Sequence, residues 1–231
     1  MTGTSLIDAV ILDCDGVLVD SEALGLEAST TYLASHGFTW SPKDLVQMFT
    51  GFRDDVFAKK LTAAYHSIHH KAPPQDFFDG LVETRRSRRH LLQPIAGANI
   101  FLETLQRPMA VASSSRDEFL QSKLKRTNLH QLLTPHIYSA DLVEHGKPAP
   151  DIFLYAAEKL GVAPKACLVI EDSANGVKAG IAANMTTWGF VGGGHCFEGH
   201  GENLKAAGAS KIVKDFASLQ ALLADLPTRT S

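Results

Sequence analysis

Two carboxylates one residue apart, Asp13 and Asp15, directly follow the apolar run Ala9-Val10-Ile11-Leu12. A short, non-alternating apolar run suits a strand buried on both faces. Open parallel sheets bind ligands at the carboxyl ends of such strands. Carboxylates this close repel each other unless a cation or a shared proton relieves them. One can attack an electrophile while the other carries a proton. Gly16 allows a sharp turn just behind them. Taken alone, Asp13-Cys14-Asp15-Gly16 is a short motif whose plainer alternative is a solvated turn with helix-capping aspartates.

Three further groups fall in similar settings. Ser113-Ser114-Ser115 follow the apolar run Met109-Ala110-Val111-Ala112. A hydroxyl there can hold a phosphoryl oxygen, and the backbone N–H groups of a helix opening near Asp117 can face an anion; helix capping is the plainer alternative. Lys147 lies in Gly146-Lys147-Pro148-Ala149-Pro150-Asp151, where two prolines stiffen the chain. A lysine held in that way can neutralise clustered carboxylates and phosphate, or it is a surface lysine in a turn. Glu171 and Asp172 end the run Cys167-Leu168-Val169-Ile170, with Ser173, Asn175 and Gly176 entering a helix. Two acidic pairs at neighbouring strand ends make an oxygen-rich site suited to Mg²⁺. Together the four groups supply a nucleophile, a proton carrier, a hydroxyl, a cation and metal ligands.

The elements that must position these groups follow from periodicity. Met185 to Val191 is a further buried-strand run, and Ile137-Tyr138 and Lys211 to Val213 are weaker strand candidates; helices are expected over Asp151–Leu160, Asn175–Ala183 and Phe216–Leu223. Strands alternating with helices predict an α/β fold, a Rossmann-like parallel sheet with helices on both faces. From about Ser21 to His90 no strand pattern appears; helices are expected over Glu22–Ser35, Asp54–His70 and Phe77–Leu91, with breaks at Gly37, Pro42, Gly51, Pro73 and Pro74. This reads as a helical cap domain, residues 18–90, inserted into a discontinuous core of residues 1–17 and 91–231. The connections can hinge, and the crevice between the parts is the default binding site.

Composition sets the outer limits. The chain has 231 residues, 45% of them hydrophobic and 20% charged, which is ordinary for a globular protein and excludes a disordered one. The net charge of −3 gives no reason to invoke nucleic acid. Three widely spaced cysteines, Cys14, Cys167 and Cys196, suggest a reducing compartment. With neither a secretory signal pattern nor a long apolar run, a cytoplasmic protein that does not engage membranes is expected, and a monomer is the default.

The ordered set of motifs resembles the haloacid dehalogenase-like hydrolases, in the subgroup with a small helical cap after the first strand. That subgroup includes beta-phosphoglucomutases and sugar phosphate phosphatases, with the 6-phosphogluconate phosphatase type as the nearest pattern. The first motif matches Asp13-Cys14-Asp15-Gly16-Val17-Leu18-Val19-Asp20-Ser21, the second Ala112-Ser113, the third Lys147 in its Gly-Lys-Pro setting, and the fourth Glu171-Asp172-Ser173 with Asn175 and Gly176 behind. The resemblance implies that Asp13 is the nucleophile and forms an aspartyl-phosphate, with Asp15 as general acid and base. It implies Mg²⁺ held by Asp13, Asp172 and the Asp15 carbonyl, assisted by Glu171. Ser113 and Lys147 would hold the phosphoryl group, with Ser114, Ser115 and Asn175 also placed to bind substrate. Cys14, between two site-facing residues, should point into packing, and Asp20 reads as a helix cap or hinge anchor.

The cap and one loop leave choices open. Thr50-Gly51-Phe52-Arg53 resembles the family's cap loop over the active site, which would make Gly51 and Arg53 substrate-binding; Arg53 as a surface arginine is the alternative. Arg85, Arg88 and Arg89 share one side of a helix, either as a solvated face or as an attractor of phosphorylated substrates. Gly192-Gly193-Gly194-His195-Cys196 reads as a mobile loop beside the sheet's functional edge. Zinc is conceivable from His195, Cys196 and His200, but no second pair of spaced ligands accompanies them. The resemblance implies a phosphatase of small sugar or sugar-acid phosphates. A mutase is the alternative, weakened because Gly25 stands in the register of the mutases' cap histidine. A dehalogenase would not normally carry Asp15, and phosphonate cleavage would call for a cap lysine such as Lys59, Lys60 or Lys71.

Overall fold

The computed structural model describes residues 6–49 and 54–227. In chain order the elements are β1 (Ala9–Leu12), α1 (Ser21–Ser35), α2 (Pro42–Phe49), α3 (Asp54–His69), α4 (Phe77–Ser87), α5 (Ala98–Thr104), β2 (Met109–Ser113), α6 (Asp117–Arg126), α7 (His130–Leu133), β3 (Ile137–Ser139), α8 (Asp151–Leu160), β4 (Cys167–Glu171), α9 (Ala174–Ala182), β5 (Thr186–Phe190), α10 (His200–Ala206), β6 (Lys211–Val213) and α11 (Phe216–Ala224). They form two compact units: residues 1–20 with 93–231, and residues 21–92. These divisions lie two or three residues from the bounds 17/18 and 90/91 drawn from the strand and helix pattern.

The larger unit is built on a six-stranded sheet of order β3-β2-β1-β4-β5-β6, with every pair parallel. Ala9, Val10, Ile11 and Leu12 are all fully buried, as an unalternating central strand requires. Side chains alternate across the strand. Ala9 and Ile11 share a core with Ile152, Phe153 and Ala156 of α8 and with Val169 of β4. Burying each large side chain of this kind contributes about 1.5–3 kcal/mol. Strand order reverses between β1 and β4, and the crevice at such a reversal is where open α/β sheets bind ligands. Asp13 follows one of these strands; Glu171 ends the other, with Asp172 just after it.

The smaller unit is helical. Leu33, Phe38, Leu45, Leu61, Tyr65, Phe77 and Leu81 form its core. The Tyr32 hydroxyl donates to the Phe77 carbonyl at 2.8 Å. A Cβ at Gly80 would stand 2.4 Å from that hydroxyl oxygen, so glycine lets α1 and α4 approach. Arg85 Nε donates to Ser29 Oγ at 2.6 Å and Arg88 pairs with Glu27 at 3.5 Å; both arginines thus tie α4 to α1.

Two features differ from the expected ones by more than a residue. The expected helix Phe77–Leu91 ends at Ser87 and gives way to a single 3₁₀ turn, Arg89–Leu91. Pro42, expected as a break, is the first residue of α2. Proline at that position lacks only an N–H that has no helical partner. Ser41 and Asp44 complete the start reciprocally: Ser41 N donates to Asp44 Oδ2 at 2.8 Å and Asp44 N donates to Ser41 Oγ at 3.2 Å.

Candidate active site at the β1–β4 strand ends

The backbone past β1 sets the geometry. Asp13 N donates to the Ile170 carbonyl at 3.0 Å, so Asp13 continues the β1–β4 register. The chain then turns tightly: Leu18 N and Val19 N both donate to the Cys14 carbonyl, at 2.9 and 3.0 Å. Gly16 has φ of +82°, and a Cβ there would lie 2.0 Å from Asp172 Oδ2. Glycine is therefore required twice over, by conformation and by the approach of a carboxylate. Cys14 is fully buried, which raises its thiol pKa well above the ordinary value, and Asp15 and Asp13 add to the rise.

Lys147 joins the two strand ends. Its Nζ donates to Asp13 Oδ1 at 2.5 Å, Glu171 Oε1 at 2.8 Å and the Ala112 carbonyl at 3.0 Å. These use all three ammonium donors. The Lys147 side chain is only 4% exposed and that of Glu171 1%. Burial alone would lower the lysine pKa, but Asp13 and Glu171 outweigh it and hold the ammonium above its ordinary range. Burial pushes Asp13 the other way for an acid, well up, with Glu171, Asp172 and Asp15 adding to the rise and Lys147 opposing it.

Ser173 orders the fourth motif. Its backbone N and hydroxyl both donate to Glu171 Oε2, at 2.8 and 2.9 Å, while its Oγ accepts from Gly176 N at 3.0 Å to cap α9. A Cβ at Gly176 would fall 1.7 Å from Glu171 Oε1, so the helix can start against this carboxylate only with glycine there.

Asp15 belongs to a second network. Ser115 Oγ donates to Asp15 Oδ2 at 2.9 Å, and Lys123 of α6 forms an ion pair with Asp15 Oδ1 while donating to Ser115 Oγ at 2.9 Å. Ser113 is fully buried, and its Oγ accepts from Ser115 N at 3.1 Å. Ser114 and Asn175 are exposed, at the turn after β2 and in the first turn of α9. Gly51 and Arg53 lie outside the described residues.

Two residues near these carboxylates were not given roles from the sequence. Lys123 carried no motif signal; its second-turn position in α6 brings it to Asp15 only through tertiary packing. His195, left there as an open question, is buried with Nε2 2.8 Å from Asp172 Oδ2. Burial lowers its pKa, but the hydrogen bonds to Asp172 and Cys196 outweigh this and raise it to about 10. Asp20 Oδ1 accepts from Gly194 N at 3.0 Å, anchoring the glycine loop to the end of the first motif.

The groups gathered at the strand ends thus carry four carboxylates, Asp13, Asp15, Glu171 and Asp172, against the cations Lys147, Lys123 and protonated His195. All four acids offer hard oxygen donors, the type that binds Mg²⁺.

Comparison with known proteins agrees with this architecture. Residues 7–184 match the family described as haloacid dehalogenase-like hydrolase. The chain is 27% identical over 191 residues to a 6-phosphogluconate phosphatase of Escherichia coli, covering 83% of this chain and 86% of that one. It is 30% identical over 213 residues to a phosphorylated carbohydrates phosphatase of Thermotoga maritima, covering 90% and 94%. Among solved structures, a haloacid dehalogenase family hydrolase from Deinococcus radiodurans with bound phosphate and sodium superposes with a TM-score of 0.87, at 35% identity over 96% of this chain and 97% of that one. The chain belongs to the haloacid dehalogenase-like hydrolases. It is a hydrolytic enzyme with a Rossmann-like core and an inserted helical cap.

Proposed function

We propose that the protein is a Mg²⁺-dependent phosphatase of small sugar or sugar-acid phosphates, working through an aspartyl-phosphate on Asp13. The observation that carries this reading is the direct bridge from Lys147 to both Asp13 and Glu171 at the strand-order reversal. A buried ammonium there holds a nucleophilic carboxylate and is placed to meet phosphoryl oxygen. Two relatives named as phosphatases of phosphorylated carbohydrate or sugar acid, each matched over most of its length, support the substrate class.

The metal fits the residues present. Four carboxylates face three cationic side chains, and a phosphate monoester brings roughly 1.5–2 further negative charges. Asp13 is pushed up by burial and by its acidic neighbours, so an ionised nucleophile calls for added positive charge. Asp13, Asp172 and the Asp15 carbonyl would hold Mg²⁺, with Glu171 assisting. When bound, the ion would offset charge on the transferring phosphoryl group.

The chain's own residues then divide the work. Asp13 attacks phosphorus as the bond to the sugar oxygen breaks, and Asp15, having taken up a proton in the enzyme–substrate complex, gives it to that oxygen. Asp15, now a carboxylate, takes a proton from water as the water attacks the phosphoaspartate; the P–O bond to Asp13 breaks and inorganic phosphate leaves. Lys147 stabilises the equatorial oxygens by its charge and Ser113 by its hydroxyl, and Lys123 and Ser115 hold Asp15 in position. Gly25 stands in the register of the mutases' cap histidine, and glycine has no side chain to handle a proton, which favours hydrolysis over a beta-phosphoglucomutase-like reaction.

A panel of phosphorylated metabolites, incubated with and without Mg²⁺ and read separately for free phosphate and isomerised phosphosugar, tests the proposal. It expects Mg²⁺-dependent phosphate release from sugar or sugar-acid phosphates. Isomerised product without phosphate release would replace it with the mutase reading.

A further inference from the structure

The loop after β5 brings together residues that the phosphatase chemistry does not use. His195, Cys196 and His200 place one ligand atom each within 4.8 Å of one another. Tight turns produce this: Cys196 N donates to the Gly193 carbonyl at 3.0 Å, Phe197 N to the His195 carbonyl at 3.1 Å and His200 N to the Phe197 carbonyl at 3.0 Å. Gly199, with φ of +87°, then starts α10 so that His200 returns toward His195. The two imidazoles meet edge to face with centroids 5.4 Å apart. Cys196 is in no disulfide.

The spacing of the first two ligands matches a tetrahedral ion. Bonds of about 2.0–2.1 Å to nitrogen and about 2.3 Å to sulfur put neighbouring N and S ligands about 3.5 Å apart. His195 Nε2 and Cys196 Sγ are 3.5 Å apart. The second imidazole is already oriented for ligation: His200 Nε2 donates to the Asp172 carbonyl at 2.6 Å. Histidines that bind metal characteristically anchor the other ring nitrogen on a carbonyl or carboxylate, and that bond fixes the tautomer. The anchored Nε2 leaves Nδ1 as the ligand atom of His200. Asp172 Oδ2 pairs with His195 Nε2 at 2.8 Å; an ion there would displace that pairing and take water as its fourth ligand.

From these positions we infer that His195, Cys196 and His200 bind a thiophilic divalent cation of the zinc type, with water in the fourth position. A thiolate and two imidazoles select such an ion over Mg²⁺, which keeps to oxygen donors. The site is thus chemically separate from the one proposed for Mg²⁺, although Asp172 borders both.

The test uses the full-length protein, reduced, stripped with chelator and then titrated with Co²⁺ in excess Mg²⁺. Wild type should take up one equivalent with thiolate-to-cobalt charge transfer in the near ultraviolet and intense tetrahedral bands in the visible, and Zn²⁺ should abolish both. Cys196→Ser should lose the charge-transfer band, and Cys196→Ser and His200→Gln should each weaken Zn²⁺ binding by about 100-fold or more in a competition titration. Circular dichroism of the metal-free variants should match wild type. No thiolate band in wild type, or Zn²⁺ affinity unchanged in a folded Cys196→Ser, would overturn the assignment. Neither readout depends on turnover, so failure here is distinguishable from failure of the phosphatase reading.

Discussion

Lys123 of α6 forms an ion pair with Asp15, 108 residues earlier in the chain, and donates at 2.9 Å to Ser115 Oγ, which itself donates to Asp15. The proposed proton carrier is thus held by a lysine and a serine from outside its own motif. Replacing Lys123 with Met should lower kcat by about 10- to 100-fold, within the usual range for disturbing general acid–base catalysis, with little change in KM. Lys123→Arg should recover part of the loss. Steady-state kinetics beside thermal melting checks this; a kcat loss accompanied by a large drop in Tm would point to the fold instead.

Gly176→Ala should act on Glu171. The added Cβ would lie 1.7 Å from Glu171 Oε1 and force the carboxylate away from Lys147 and Ser173. Disrupting a buried pair commonly costs about 3–5 kcal/mol when one partner is lost outright. Displacement should cost less, about 1–3 kcal/mol, together with most of the activity. Urea unfolding and turnover measured on the same preparation check both.

The His195–Asp172 pair gives a pH prediction for the metal-free protein. His195 has its pKa raised from 6.5 to about 10. The folded value exceeds the unfolded one, so the pair's stabilisation is complete below the unfolded pKa and is lost as pH rises through about 10. His195→Gln should remove this dependence. Tm of both proteins from pH 6 to about 10.5 checks it: the gap between them should be widest at the acid end and close toward the alkaline end.

Chelation should separate the fold from the reaction. EDTA should abolish phosphate release, and Mg²⁺ should restore it, while the far-ultraviolet circular dichroism stays constant, because the sheet core is apolar and complete without an ion. Full turnover in EDTA would remove the metal from the account.

Much of this architecture was visible in the sequence where local pattern and burial coincide. The central strands read correctly because β1 and β4 are buried on both faces, leaving unbroken apolar runs that stop at acidic residues. The helical insertion was legible from the missing strand pattern between Ser21 and His90. Helix α2 was missed because Pro42 was taken as a break, although Ser41 and Asp44 on either side carry a helix-start signature. The nearness of Lys147 to Asp13 needed the resemblance, since 134 residues separate them. Lys123 and the His195–Asp172 contact had no local signature at all. Each depends on how a helix or loop packs onto a distant strand end, which neither periodicity nor spacing encodes.

The claim on which the rest depends is that Asp13 carries the phosphoryl group. Borohydride reduces an acyl phosphate, so quenching the enzyme with it during turnover and mapping peptides by mass spectrometry reads that intermediate directly. The account predicts conversion of Asp13 to homoserine, only when substrate and Mg²⁺ are both present. Substrate consumed at full rate with Asp13 unmodified, or an Asp13→Asn variant that still turns over normally, would contradict it.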